Sequence, residues 1–168
     1  MKRVALGDSD ALAGLLERHS SRVHGYLVRY THSRTDADDL LQETWIRVAR
    51  SARQFDSGRR FRTWLYGIAT NLGRDFLRRR DTQRRALRDV KSGLELTARS
   101  DSNVAERYDL REHVRGLPDR MREVVLLRYF EGMNEADMSA SLGIAKGTVK
   151  SRLHAALKHL REGYEVVK

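Results

Sequence analysis

Between Ile144 and Arg161 the chain carries five Lys or Arg and no Asp or Glu. Val149, Leu153, Ala156, Leu157 and Leu160 recur at helical spacing and predict one buried stripe. Lys146, Thr148, Lys150, Ser151, Arg152, His154 and Lys158 then fall on the opposite, basic and polar face. A rigid helix with such a face suits the major groove of DNA. A shorter helix from Glu135 to Leu142 precedes it, with Gly143 at the turn, where glycine takes positive φ without steric cost.

A second cluster is denser. From Arg59 to Arg88 there are ten Arg and two Asp. The planar guanidinium fork donates bidentately, and arginine at this density points to phosphate. A third cluster has the opposite sign. Asp36, Asp38, Asp39 and Glu43 put four acids into eight residues with no base among them, and Gln42 lies beside Glu43. The helix dipole accounts for acids in a first turn but not for Glu43, which lies deeper. On a chain of net charge +10 such a patch points to a basic protein partner.

Covalent chemistry finds no support. No nucleophile–base set, metal-ligand spacing or glycine-rich phosphate loop is visible, so catalytic residues, metal sites and cofactors are all read as none. His19 and His24 share no helix face well and read as packing or surface residues. The absence of Cys excludes disulfides and thiolate sites. No long uncharged apolar run suggests a membrane span or secretory signal, so a soluble intracellular protein is expected.

These clusters require an all-α scaffold. A single Pro, Pro118, and apolar residues at helical period support one. Residues 1–90 carry a net charge of +8 and residues 109–168 a net of +2. The outer blocks have apolar periodicity and the middle has little. Two small helical domains follow, 1–85 and 108–168, joined by a flexible linker over 86–107. The first domain should hold three helices. One spans about Asp8 to Tyr30, capped by Asp8 or Ser9. The next spans Ser33 to Arg53, with Thr35 and Asp38 as a variant capping box. The third runs from about Arg60 to Arg80, with Phe61, Trp64, Leu65, Ile68, Ala69, Leu72 and Phe76 as its stripe. The polar loop Asp56, Ser57, Gly58, Arg59 lies beside Phe55 and could cup an unstacked base. The second domain should hold a helix from Val104 to Gly116 and another from near Asp119, capped by Asp119 and closed by Gly132. The helix-turn-helix follows, with Asn134 as its cap.

At this point three stretches resemble one family. DADDLLQETW, FRTWLYGIATNLGRDFLRRR and GTVKSRLHAALKHLRE are similar, in order and spacing, to segments of the bacterial extracytoplasmic-function sigma factors, the minimal two-domain members of the sigma-70 family. The resemblance implies a cytoplasmic initiation subunit without a catalytic site of its own or a small-molecule substrate. It implies that Asp36, Asp38, Asp39, Gln42 and Glu43 bind core RNA polymerase. It implies that Asp56, Ser57, Gly58, Arg59, Arg60, Arg62, Asn71, Arg74, Asp75 and Arg78 engage the promoter −10 element, with a flipped base at the loop. Lys146, Thr148, Lys150, Ser151, Arg152, His154 and Lys158 would read the −35 element. An anti-sigma factor is an implied further partner. One departure is Ala145, where many members have a capping Ser. Two alternatives remain at this stage. A stand-alone helix-turn-helix regulator leaves the acidic and Arg-rich clusters unexplained. A sigma-like decoy that titrates an anti-sigma factor need not retain Arg74, Arg78, Lys150 and Arg152.

Overall fold

A computed structural model of the chain describes residues 1–90 and 110–165. Among the described residues the regular structure is helical throughout. A short α1 (Lys2–Ala5), which the periodicity did not predict, leads into α2 (Ser9–Thr31). Asp8 caps α2 by accepting a hydrogen bond from Ala11 N at 2.9 Å. α3 (Arg34–Arg50) follows after His32, which closes α2 in the left-handed region at φ 60°. The cap of α3 corrects the expected capping box. Ser33, not Thr35, accepts from Asp36 N, at 3.2 Å. Thr35 lies inside the helix, because Ser33 is the last residue with extended backbone.

One 3₁₀ turn, Ala52–Gln54, leads through the polar loop into α4 (Phe61–Val90). α4 runs ten residues past its expected end. The end placed at Arg80 fails because nothing between Asp81 and Val90 breaks a helix, and charge alone does not stop one. Residues 86–90 of the expected linker are therefore helical, while the remainder of it lies outside the described residues. The next helix, α5 (Leu110–Gly116), is the described part of the one expected from Val104.

α6 (Asp119–Val125) begins after Pro118. Asp119 does not cap it. It is the first helical residue and pairs with Arg122 at 3.0 Å. A wide turn, Leu126–Phe130, continues α6 and closes with Glu131 N bonded to Leu126 O at 3.1 Å. Gly132 then takes φ 62°. Asn134 caps α7 (Glu135–Leu142) through Asp137 N at 2.8 Å, and Gly143 turns at φ 65° into α8 (Lys146–Glu165). Ala145 O accepts from Val149 N at 3.1 Å, so α8 begins without needing Thr148 as a cap. Leu157 departs from the expected stripe. It is 42% exposed, while Val149 and Ala156 are buried.

α2, α3 and α4 pack together around Tyr26, Tyr30, Tyr66, Leu27 and Leu65, all buried. Tyr26 contacts Tyr30 and Tyr66 with ring centroids 5.8 and 5.3 Å apart, pairs that contribute about 0.5–1.5 kcal/mol each beyond area burial. Gly73 makes room for Tyr30, since a Cβ there would come within 2.6 Å of its ring. The second core gathers Val124, Leu126, Leu127, Met133, Met138, Leu142 and Val149. The two cores meet, because α4 packs on α7 and α2 packs on α6. Gly67 sits at the α4–α7 crossing, where a Cβ would lie 2.8 Å from the Ser141 carbonyl. Arg122, itself buried, donates to Tyr30 O at 3.1 Å across the domain boundary.

Candidate functional site

The acidic cluster stands on the outer face of α3. Ala37, Leu40, Thr44, Trp45 and Val48 turn inward. Helical geometry then forces Asp38, Asp39 and Gln42 outward, and all three are exposed. Glu43 is half-exposed and pairs with Arg47 at 3.5 Å. Asp36 is half-buried, 4.0 Å from Arg80. Asp38 Oδ1 lies 2.7 Å from His24 Nε2, off the line a hydrogen bond needs. Beside the acids is a shallow apolar depression lined by Leu12, Leu16, Leu41, Trp45 and Ile46. Sequence reasoning missed this surface. Its signal was Ile46, an apolar residue on the polar side of the stripe and 37% exposed.

The polar loop is folded on itself. Asp56 Oδ1 accepts from Gly58 N at 2.9 Å, and Arg59 N donates to Asp56 O at 3.0 Å. Behind it, Phe55 packs edge-on against Trp64 at 5.0 Å and Phe61 at 6.1 Å. Asp56, Ser57, Gly58, Arg59 and Arg60 are all exposed, and Gly58, Arg59 and Arg60 line the mouth of a cleft. The cleft continues between α4 and α7 along Thr63, Gly67 and Asn71 on one side and Asp137 and Ser141 on the other.

Along α4 the expected DNA-facing residues separate into two groups. Asn71 and Arg78 are exposed, and Arg78 pairs with Asp75 at 2.6 Å. Arg62 and Arg74 turn toward the second domain. Arg62 donates to Glu131 O, and its guanidinium lies 3.5 Å from the Glu131 carboxylate. Arg74 grips Glu123 bidentately at 2.8 and 2.7 Å. That hydrogen bonding strengthens the hold of Arg74 on its proton, against the opposing effect of burial. Burial first, and then the hydrogen bond to Glu131, pushes the Tyr66 hydroxyl well above its ordinary pKa.

On α8, Lys146, Lys150, Ser151, His154 and Lys158 are exposed and Thr148 is half-buried. Lys150 lies 3.6 Å from Glu135. Arg152 does not share this face. It donates to Glu123 Oε1 at 2.8 Å, so one fully buried carboxylate holds an arginine from each expected DNA-binding helix. Sequence reasoning missed Glu123, Glu131 and Asp137. An acid at the edge of the apolar run Val124–Leu127 was the available sign that Glu123 is buried and needs a partner. Among the described residues no group of three or more His, Asp or Glu is arranged to hold a metal ion, and no helix is long and apolar enough to cross a membrane.

The geometry thus joins an exposed acidic face, an arginine-lined cleft and an exposed basic helix on one chain. Comparison with known proteins gives the same pattern. Residues 15–83 match sigma-70 region 2 and residues 107–160 match sigma-70 region 4. The RNA polymerase sigma factor CarQ of Myxococcus xanthus is 36% identical, over 96% of this chain and 94% of its own. The ECF RNA polymerase sigma factor SigW of Bacillus subtilis is 30% identical, over 96% of this chain and 93% of its own. In the structure of CnrH in complex with the cytosolic domain of CnrY, the matching chain is 25% identical, with a TM-score of 0.74 covering 99% of this chain and 96% of that one. Two joined sigma-70 regions and full-length relatives of this kind place the chain in the ECF sigma factor family.

Proposed function

We propose that this chain is a dissociable initiation subunit that binds core RNA polymerase, carries it to promoters with paired −10 and −35 elements, and helps to open them. The observation that carries the reading is the exposed acidic face of α3 on the same chain as an arginine-lined α4 and a basic α8. The reading assigns Asp38, Asp39, Gln42 and Glu43 to a basic surface of polymerase, with Asp36 supporting. The adjoining apolar depression supplies the desolvated centre that charge alone does not. Loop Asp56–Arg60 takes an extruded base, with Phe55, Phe61 and Trp64 as its aromatic floor. Extrusion costs a few kcal/mol, offset by arginine–phosphate contacts along α4. The exposed face of α8 reads the −35 duplex. The protein makes and breaks no bond; polymerase does. It works in the cytoplasm, where polymerase and promoters are, and an anti-sigma factor is a further partner; the similar CnrH is itself seen in complex with a second protein, the cytosolic domain of CnrY.

The test is retention on immobilised core polymerase. Asp39→Lys with Glu43→Lys should abolish retention while the circular dichroism spectrum stays unchanged. Undiminished retention would reject the docking face.

A further inference from the structure

A cavity of about 570 Å³ lies where the end of α2 and the start of α3 face α5 and the wide turn after α6. The first domain lends it Val28, Arg29, His32 and Arg34, and the second lends it Arg115 and Phe130. None of these six belongs to the faces assigned to polymerase or DNA. Small-molecule sites run from about 300 to 1,000 Å³, so the volume suits a ligand larger than a bare ion.

Charge around the cavity is unbalanced. Arg29 and Arg34 are exposed, and neither pairs with an acid among the described residues. Arg115 meets Glu112 at 3.4 Å, but both side chains are more than half exposed, and such a pair is weak. Three guanidinium groups thus share one lining carboxylate. Two further acids of this region, Asp36 and Asp119, stand by Arg80 and Arg122 instead. His32 registers the surplus. Burial first, and then Arg122, Arg115 and Arg80, lowers its pKa to about 4. Its Nε2 is buried without a hydrogen-bond partner among the described residues, and a buried polar atom is ordinarily satisfied by protein, water or a ligand.

One part of the wall suits a planar group. The Arg29 guanidinium lies over the Phe130 ring, 4.6 Å from its centroid, and Phe130 is 45% exposed. Aromatic rings and guanidinium planes are the surfaces on which nucleobases stack. Guanidinium groups also donate to phosphate oxygens in pairs. We propose that this cavity binds a free nucleoside di- or triphosphate, with Arg34, Arg115 and His32 at the phosphates and the Arg29–Phe130 pair against the base. Each domain supplies a phosphate ligand and a stacking surface, so the site exists only in the full chain.

The test titrates N-methylanthraniloyl-labelled adenosine and guanosine diphosphates into the full chain at physiological salt, read by fluorescence anisotropy. Competitors are the unlabelled nucleotide, pyrophosphate and mixed-sequence single-stranded DNA. Saturable binding is expected. Arg34→Gln with Arg115→Gln should weaken it at least about tenfold, through lost charge-assisted hydrogen bonds. Its control, Arg50→Gln with Arg120→Gln, removes the same charge at exposed positions outside the cavity and should shift affinity less than about twofold. Phe130→Ala should weaken the nucleotide several-fold and leave competition by pyrophosphate unchanged. All five substituted positions are exposed, so each variant should melt as wild type does. No saturable binding, or equal losses in the test and control pairs, would overturn the site. Pyrophosphate matching the nucleotide, with Phe130→Ala silent, would overturn the nucleotide in favour of a bare anion. Displacement of the label by DNA as readily as by unlabelled nucleotide, at equal phosphate concentration, would give the cavity to DNA and overturn it too.

Discussion

Glu123 is the residue on which the interior electrostatics turn. It is fully buried, and Arg74 and Arg152 are its charged partners. Either arginine alone leaves it paired, so Arg74→Ala and Arg152→Ala should each be tolerated. The double variant strands a buried carboxylate and should cost about 3–5 kcal/mol, more than the single losses added. Urea unfolding of the four proteins measures the excess. His32 gives a second prediction. Burial first, then Arg122, Arg115 and Arg80, lowers its pKa from 6.5 to about 4. Its Nε2 is buried without a hydrogen-bond partner. A depressed histidine binds protons more weakly folded than unfolded, so its stabilising contribution is present above pH 6.5 and lost as pH falls toward 4. His32→Asn keeps a residue that tolerates φ 60° and should flatten that acid limb in thermal melts. Burial of this kind is not written in a local pattern. The sequence shows His32 after an apolar stripe but not the three arginines that converge on it from other helices.

Helix caps and turns decide where the elements begin and end. Gly143 holds φ 65° between α7 and α8, so Gly143→Ala should destabilise by about 1–2 kcal/mol through left-handed strain. Its melting temperature and its −35 duplex affinity should fall together, because the turn fixes α8 against α7. This turn, the Asn134 cap and the Gly132 stop were legible because each depends on a residue type with one strong local preference. The start of α3 was ambiguous because Ser33 and Thr35 both cap well and only the extended backbone at Ser33 decides between them. The end of α4 was hidden for the opposite reason, since Asp81–Val90 contains no stop signal at all. Within α8 the basic face was legible, but Arg152 was not separable from it. Its partner Glu123 lies 29 residues away, and sequence spacing says nothing of such a pair.

At the scale of the whole molecule, charge and topology assign different work to each face. Most acids of α3 point outward, Arg62 and Arg74 of α4 point into the second domain, and the lysines of α8 point to solvent. The second domain, with a net charge of only +2, should grip DNA weakly alone. Held together by polymerase at a fixed spacing, the two domains become one bivalent grip. Binding by such a chain should weaken steeply with salt, in proportion to the phosphates engaged, and less steeply for Arg62→Ala, which removes one expected phosphate contact. The family was legible in three ordered stretches; the docking of the two domains was not, because the acids that make it look ordinary in sequence. The most direct test of the central claim combines purified protein with core polymerase and a promoter library, followed by sequencing of transcript 5′ ends. Start sites that share two motifs at a constant separation, present only when this protein is added, are the expected result. Transcripts no different from those of core polymerase alone would contradict it.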